Sequence, residues 1–315
     1  LNISDQRAKS GSIVLCSFGD ASVNHATALS AFNTASWITS KGGHVPIIFI
    51  CEDNGLGIST KTGDNWIEDN FKSKPGINYI KTDGLNILDL ITNSKKAEKA
   101  CRINRSPIFL HMKTVRLMGH AGSDIELGYR ELQDVEANEF NDPLLHSARI
   151  VIENKCLPKE DVLKLYELSR DRVNHVFNES TKRPKLVTSN EVMSSITAND
   201  YSSKAPKHPL LKFRKKMFGK EYNRLAQPQH MAKLINYALS DIMLQYKNTL
   251  IFGEDVAEKG GVYNVTADLQ KRFGPRRVFD SPLDETSIIG FGAGFSQNGF
   301  IPIPEIQFLA YFHNA

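Results

Sequence analysis

The chain has 315 residues, 41% hydrophobic and 23% charged, with a net charge of only +4. That length suits two domains with their own cores, and no apolar run approaches the length that crosses a bilayer. The small basic excess gathers largely between Lys182 and Lys220, which argues only weakly for nucleic acid, and Cys16, Cys51, Cys101 and Cys156 form no Cys-x-x-Cys pair. With Cys16 and Cys51 inside apolar runs, the cysteines read as buried free thiols of a reducing compartment. The chain begins at Leu1 without methionine and stops inside an apolar element at Ala315, so it reads as a fragment cut at both ends.

Residues 13–18 form an apolar run with the character of a buried parallel strand, broken at Gly19, and Asp20 stands at its carboxyl end. A helical pattern over 25–39 puts Ala28, Leu29, Phe32, Ala35 and Ser36 on one face. Residues 46–51 read as a second buried strand, followed by the polar turn Glu52-Asp53-Asn54-Gly55-Leu56-Gly57. Two parallel strands joined by a helix deliver Asp20 and Asn54 to one rim, where open α/β sheets bind ligands. One carboxylate, one amide oxygen and a glycine-loosened backbone suit magnesium that is also held by phosphate oxygens. The same residues equally suit a helix cap at Asp20 and a plain turn at Asn54.

Residues 58–74 are polar and read as a loop, Tyr79-Ile80 with Asp83-Gly84 as a short strand and turn, and 87–104 as an amphipathic helix. A third buried strand over 107–112 runs into a polar loop carrying Arg116, Gly119-His120, Gly122-Ser123-Asp124 and Tyr129-Arg130 on the same rim. A histidine flanked by glycines can approach a substrate and a nearby arginine can hold an anion; a solvated loop with incidental charge fits the same residues. Asn141-Asp142-Pro143 breaks the chain. A helix over 159–177 repeats Val162, Leu165, Leu168, Val173 and Val176 at helical spacing, as ordinary packing does. From 180 to 228 the composition suits an interdomain linker or a partly ordered arm laid over another surface.

A new unit opens near Gln229, where Met231, Leu234, Ile235, Ala238, Leu239, Ile242 and Met243 predict an amphipathic helix. Leu250-Ile251-Phe252 is a short strand ending at Gly253-Glu254-Asp255. Gly260-Gly261 turns the chain before a helix that ends near Phe273. Residues 278–285 lead into a glycine-rich apolar helix over 287–299, and 301–308 read as a strand. Glu285 at a helix start is either a capping carboxylate or, beside so many Gly and Ala residues, a partner for a flat ring.

Gly19-Asp20-Ala21 with Asp53-Asn54 resembles the thiamin diphosphate signature of 2-oxo acid dehydrogenases, Gly-Asp-Gly or Gly-Glu-Gly followed by Asn-Asn. Ala21 departs from the usual glycine, and the connection over 36–45 is longer than usual. The loop from Arg116 to Arg130 resembles the α subunit of the branched-chain members, with Ala121 where animal members carry a regulatory serine. Residues 252–311 resemble the β subunit. The resemblance implies two thiamin diphosphate-binding-fold α/β domains, parallel sheets flanked by helices, both incomplete: 1–179 α-like, 180–228 a linker, and 229–315 β-like. It implies Asp20, Asn54 and the Leu56 carbonyl as Mg2+ ligands, and Gly19, Ala21, Ile58, Arg116 and His120 around the cofactor. The resemblance also implies that His120 assists acyl transfer, that Glu285 bonds the aminopyrimidine ring, and that Tyr311 lies beside that ring. Glu254 matches an acid near the β-subunit dimer interface.

The implied activity is oxidative decarboxylation of a 2-oxo acid, branched-chain ahead of pyruvate, with acyl transfer to the lipoyl group of a partner acyltransferase. The implied assembly is a fused α–β chain that dimerises like an α2β2 enzyme, cytoplasmic in a bacterium or in the mitochondrial matrix of a eukaryote, with no nucleic acid or membrane partner. Two other readings stand beside it, a transketolase-type enzyme acting on sugar phosphates and a noncatalytic scaffold of the complex.

Overall fold

A computed structural model describes residues 11–196 and 209–315. The chain divides into two compact units. One holds the stretch from 11 to Gly84, Leu88–Asp124 and the stretch from 209 to Ala315; the other holds Leu85–Ile87 and the stretch from Ile125 to 196.

The first unit opens with β1 (Val14–Gly19), α1 (Ala26–Ser40), β2 (Ile47–Asp53), the small antiparallel pair β3 (Leu56–Gly57) and β4 (Thr60–Lys61), α2 (Trp66–Phe71), β5 (Asn78–Asp83), α3 (Ile87–Asn104) and β6 (Ile108–Lys113). Four strands pair in the order β1-β2-β6-β5, all parallel. Phe32 of α1, 2% exposed, centres the core on one face, with Phe18, Phe49, Phe71 and Phe109 around it. Burial of a Phe side chain of this kind contributes about 2 to 3 kcal/mol. Ile48, Ala97, Cys101, Ile108 and Leu110 fill the other face.

Three expectations change here. The strand read as buried is the sheet edge, so Val14, Leu15 and Cys16 are exposed; Cys156 is exposed too, and only Cys51 and Cys101 are buried. An edge strand leaves much of its surface without a neighbour. The polar stretch 58–74, read as a loop, folds into part of the β3–β4 pair and α2, because Ile67 and Phe71 anchor it in the Phe32 core. Leu29, placed on the inner face of α1, is 45% exposed.

The second unit contains α4 (Leu132–Glu139), α5 (Pro143–Glu153), α6 (Lys159–Thr181) and α7 (Ser189–Met193). Asn141-Asp142-Pro143 starts a helix as well as breaking the chain: the Asp142 carboxylate accepts from the Leu144 N–H at 2.8 Å, and Pro143 takes a first-turn position where its missing N–H is harmless. The apolar repeat of α6 is not core within this unit, for Leu165, Leu168, Val173 and Val176 are all exposed.

The first unit resumes with α8 (Leu211–Phe218), α9 (Met231–Gln245), β7 (Thr249–Gly253), α10 (Leu269–Phe273), β8 (Val278–Asp280), α11 (Glu285–Gln297) and β9 (Ile301–Pro304). The strands form a second parallel sheet in the order β8-β7-β9, covered on one face by Met243, Ile251, Leu269 and Val278 and on the other by Leu250, Phe252 and Ile288. Within the stretch read as a linker or arm, α8 packs on α9 through a two-point Arg214–Asp241 pair, both bonds 2.8 Å, and the Phe218–Tyr237 rings. The inner face of α9 is turned from the expected one. Asn236, Tyr237, Ser240 and Met243 are buried while Met231, Leu234 and Ile235 are exposed, because Asn236 donates to the Val265 and Ala267 carbonyls and Ser240 accepts from Arg272.

Candidate functional site

Strand register builds the first cluster. Gly19 lies beside Glu52 and Asp53 beside Lys113, so the carboxyl ends of β1, β2 and β6 share one rim. Asp20, the first residue after β1, is 1% exposed, and its Oδ2 accepts from the Thr62 hydroxyl at 2.5 Å. Thr62 comes from the end of the β3–β4 pair, whose register is closed by the Thr62 N–H on the Gly55 carbonyl at 2.9 Å. The sequence reading passed over Thr62; its only local signal is its place in a Thr-rich turn. Asn54 Oδ1 accepts from the Leu56 N–H at 3.0 Å, which curls the turn back on itself. Gly57 has no room for a side chain, since a Cβ there would lie 2.6 Å from that of Ala21. The two rim loops thus touch, with a cleft of about 320 Å³ beside them that includes Ala21, Gly57, Thr62 and Trp66.

Arg116 joins the third strand end to this cluster by donating to the Ile58 carbonyl at 2.5 Å. Gly19, Asp20, Ala21, Asn54, Leu56, Ile58 and Arg116 therefore gather on one rim. His120 stands further out on an exposed loop, held by its own N–H on Asp124 Oδ2 at 2.7 Å. Burial pushes the Cys51 thiol up, helped by the charges of Asp53 and Asp20, so it stays protonated and inert beneath the rim.

Among the described residues no three His, Cys, Asp or Glu side chains converge on a metal position. A cation at this rim must therefore draw on amide, carbonyl and ligand oxygens. Asp20, with a second carboxylate oxygen beyond the one Thr62 engages, Asn54 and the Leu56 carbonyl match that demand, and they are few enough to need oxygens from the ligand itself.

A second cluster lies on the β8-β7-β9 sheet. Glu285 opens α11, half-buried, while Glu254 follows β7 and Glu305 follows β9. Burial pushes the Glu254 carboxyl up, and the Glu285 and Asp255 charges add to the rise. Burial likewise raises Glu305, with the Glu254 charge behind it, and Glu305 Oε2 is buried without a hydrogen-bond partner. Gly253 allows this approach: a Cβ there would meet the Glu305 backbone oxygen at 2.7 Å. Tyr311 lies on a terminal turn that packs against α11, in a ring ladder with Phe308 and Tyr263.

Glu305 was not singled out from sequence. Its position after a strand is ordinary; its neighbours are what make it unusual. A carboxyl raised on folding binds protons better folded than unfolded, so its effect weakens the fold as pH rises above the ordinary glutamate value toward the folded one. Glu305→Gln is expected to raise Tm by about 2 to 4 °C at pH 7 and to flatten the fall in stability as pH rises above the ordinary glutamate value, measured by thermal melts at a series of pH values.

Both clusters belong to one compact unit. Thr34 of α1 and Ser287 of α11 share a hydroxyl hydrogen bond of 2.7 Å, and Ser287 also bonds the Asp284 carboxylate just before Glu285.

Comparison with known proteins finds two families along the chain. Residues 2–189 match the family described as Dehydrogenase E1 component, and residues 227–315 match Transketolase, pyrimidine binding domain. Residues of this chain are 49% identical over 84 residues to the 3-methyl-2-oxobutanoate dehydrogenase subunit beta of Mycobacterium tuberculosis strain H37Rv, covering 27% of this chain and 24% of that protein. The mitochondrial pyruvate dehydrogenase E1 component subunit alpha of Dictyostelium discoideum is 28% identical over 179 residues, 56% of this chain and 46% of that protein. The pyruvate dehydrogenase E1 component subunit beta of Staphylococcus aureus strain MW2 is 48% identical over 81 residues, 26% of this chain and 25% of that protein. The chain thus spans less than half the length of each of these relatives. α-Type likeness in its first part and β-type likeness in its last, in that order on one polypeptide, fit a fused arrangement, and the chain belongs to the dehydrogenase E1 component family.

Proposed function

We propose that this chain is the catalytic part of a thiamin diphosphate- and Mg2+-dependent 2-oxo acid dehydrogenase, decarboxylating a 2-oxo acid and passing the acyl group to the lipoyl group of a partner acyltransferase. The observation that supports it best is the rim on which Asp20, Asn54, the Leu56 carbonyl and the Arg116–Ile58 contact come together. In this reading 1–179 forms the diphosphate half, 180–228 the connection and 229–315 the pyrimidine half. When bound, thiamin diphosphate supplies the electron sink for decarboxylation.

The chain's own residues have separate tasks. Asp20, Asn54 and the Leu56 carbonyl hold Mg2+ against a diphosphate, with Gly19, Ala21 and Ile58 offering close backbone approach and Arg116 balancing anionic charge. Glu285 holds a proton at the pyrimidine nitrogen. A glutamate at the start of α11 can act there as a general acid or base. Tyr311 flanks the ring, and His120 on its exposed loop meets the incoming lipoyl group. Two copies assemble as an α2β2-like dimer in the compartment where the complex works. No helix among the described residues is long and apolar enough to cross a membrane.

Branched-chain acids are the favoured substrates, supported by the Mycobacterium relative's name, and pyruvate is the competitor, supported by the Dictyostelium and Staphylococcus names. Dye reduction by the full-length protein with thiamin diphosphate, Mg2+ and either 2-oxoisovalerate or pyruvate tests this. Faster reduction with the branched acid is expected. Preference for pyruvate changes the substrate and keeps the chemistry, whereas no reduction with either acid, despite bound cofactor, removes the proposed activity.

A further inference from the structure

A buried polar chain runs under the metal rim from one sheet edge inward. The Tyr79 hydroxyl of β5 lies 2.5 Å from His111 Nδ1, and His111 Nε2 lies 2.7 Å from Asp53 Oδ2. Lys113 Nζ reaches the same oxygen at 2.8 Å, while Asp53 Oδ1 accepts from the Gly55 N–H at 3.0 Å. The Asp53 carbonyl accepts from the Thr114 N–H at 2.8 Å. Asp53 is 5% exposed and His111 2%. Burial pushes the Tyr79 phenol up, so its O–H is the donor to Nδ1, and the proton of His111 then sits on Nε2, facing Asp53.

The carboxylate at 53 thus divides its two oxygens. One is tied through His111 and Lys113 to the sheet, the other to the backbone on the far side of Asn54. A plain turn needs only the second of these bonds. Burying a carboxylate and an imidazole, with a half-buried phenol behind them, is costly unless every member is satisfied, and here the side-chain bonds converge on Asp53, the residue before Asn54.

We propose that Asp53, anchored by His111, Lys113 and Tyr79, is the positioning residue that presets the Asn54 turn for its metal. The inference rests on Asn54 being a metal ligand. It predicts a donor–acceptor rule that packing alone does not. An asparagine at 53 has the shape of aspartate but one acceptor oxygen and one amide donor. Facing its oxygen to the Gly55 N–H turns its NH2 onto the Nε2–H of His111, donor against donor, and the ring escapes only by moving its proton to Nδ1 and giving up the O–H that Tyr79 donates there. A glutamine at 111 relieves that conflict, because its side-chain oxygen accepts from the amide of residue 53 while its own NH2 donates to the Tyr79 oxygen. Lys113, whose side chain is 51% exposed, can turn into solvent.

The test is thiamin diphosphate binding by the full-length protein, titrated with Mg2+ and followed by calorimetry, with melting of the cofactor-free protein as the measure of folding. Asp53→Asn is expected to raise the half-saturating Mg2+ concentration by about tenfold to a hundredfold, and His111→Gln added to it to recover most of that loss. Tyr79→Phe, which deletes a single hydroxyl, gives a smaller shift in the same direction and stands in if Asp53→Asn does not fold. Asn54→Ala is the reference. If Asn54→Ala abolishes Mg2+-dependent binding while Asp53→Asn and Tyr79→Phe leave it within twofold, or if His111→Gln fails to recover Asp53→Asn, the positioning role is wrong and the metal site stands. If Asn54→Ala itself changes nothing, the metal reading and this inference fall together.

Discussion

Asp20→Ala in the full-length protein is expected to weaken Mg2+-dependent thiamin diphosphate binding by about a hundredfold or more, beyond the loss typical of residues that only support a metal ligand. Asp20 is the one carboxylate at the rim among the residues assigned to the metal, so its removal takes away the charge that draws Mg2+ out of water. The substitution also frees Thr62, whose hydroxyl bonds Asp20 Oδ2, and loss of that bond alone costs about 1 kcal/mol of stability. Thr62→Val separates the two effects. It removes the hydroxyl and keeps the carboxylate, so it is expected to lower Tm slightly and to leave most of the Mg2+ response. Calorimetric titration of both variants is the measurement; equal losses would mean that Asp20 acts through the shape of the loop and not as a ligand.

Glu285→Gln is expected to separate binding from chemistry in the other direction. Glutamine keeps the size and the hydrogen-bonding reach of the side chain but cannot pass a proton, so kcat should fall by about 10² to 10⁴ while cofactor affinity changes only a few-fold. Glu285 opens α11, and its charge acts on Glu254 across the end of the second sheet. Removing that charge lets Glu254 ionise more readily, so the pH dependence of the residual activity should shift as well. Unaltered turnover in Glu285→Gln would mean that another group carries the proton; the scaffold reading, in which the fold is kept for assembly alone, expects no turnover from either protein.

The departures from the sequence reading share a cause. Residues 13–18 carry the hydrophobic run of a buried strand, yet β1 closes one end of its sheet and exposes Val14 and Leu15. The α9 face turned because Arg272, distant in the chain, bonds both Asn236 and Ser240, a preference that no apolar period records. In α5 the turn chemistry of Asp142-Pro143 was legible as a break, and its second meaning, a helix start, depended on the apolar residues that follow.

Local rules were enough to place a strand end at Gly19, another at Cys51, two residues short of the end of β2 at Asp53, and Glu285 at the start of a helix. Hydrophobic period, chain breakers and capping act over a few residues and leave their mark in the chain itself. Asp20 and Asn54 could be assigned to one rim for that reason, and parallel pairing of β1 with β2 accounts for it. Only the tertiary structure decided what surrounds them. Thr62 meets Asp20 from 42 residues away, His111 meets Asp53 from 58, and Lys113 meets the same carboxylate from 60. Glu305 reaches Glu254 because β9 lies beside β7. Such partners are set by strand order and side-chain packing, which bring together residues that share no local pattern, and that is why the positions of Asp20 and Asn54 could be read from the chain and their supports could not.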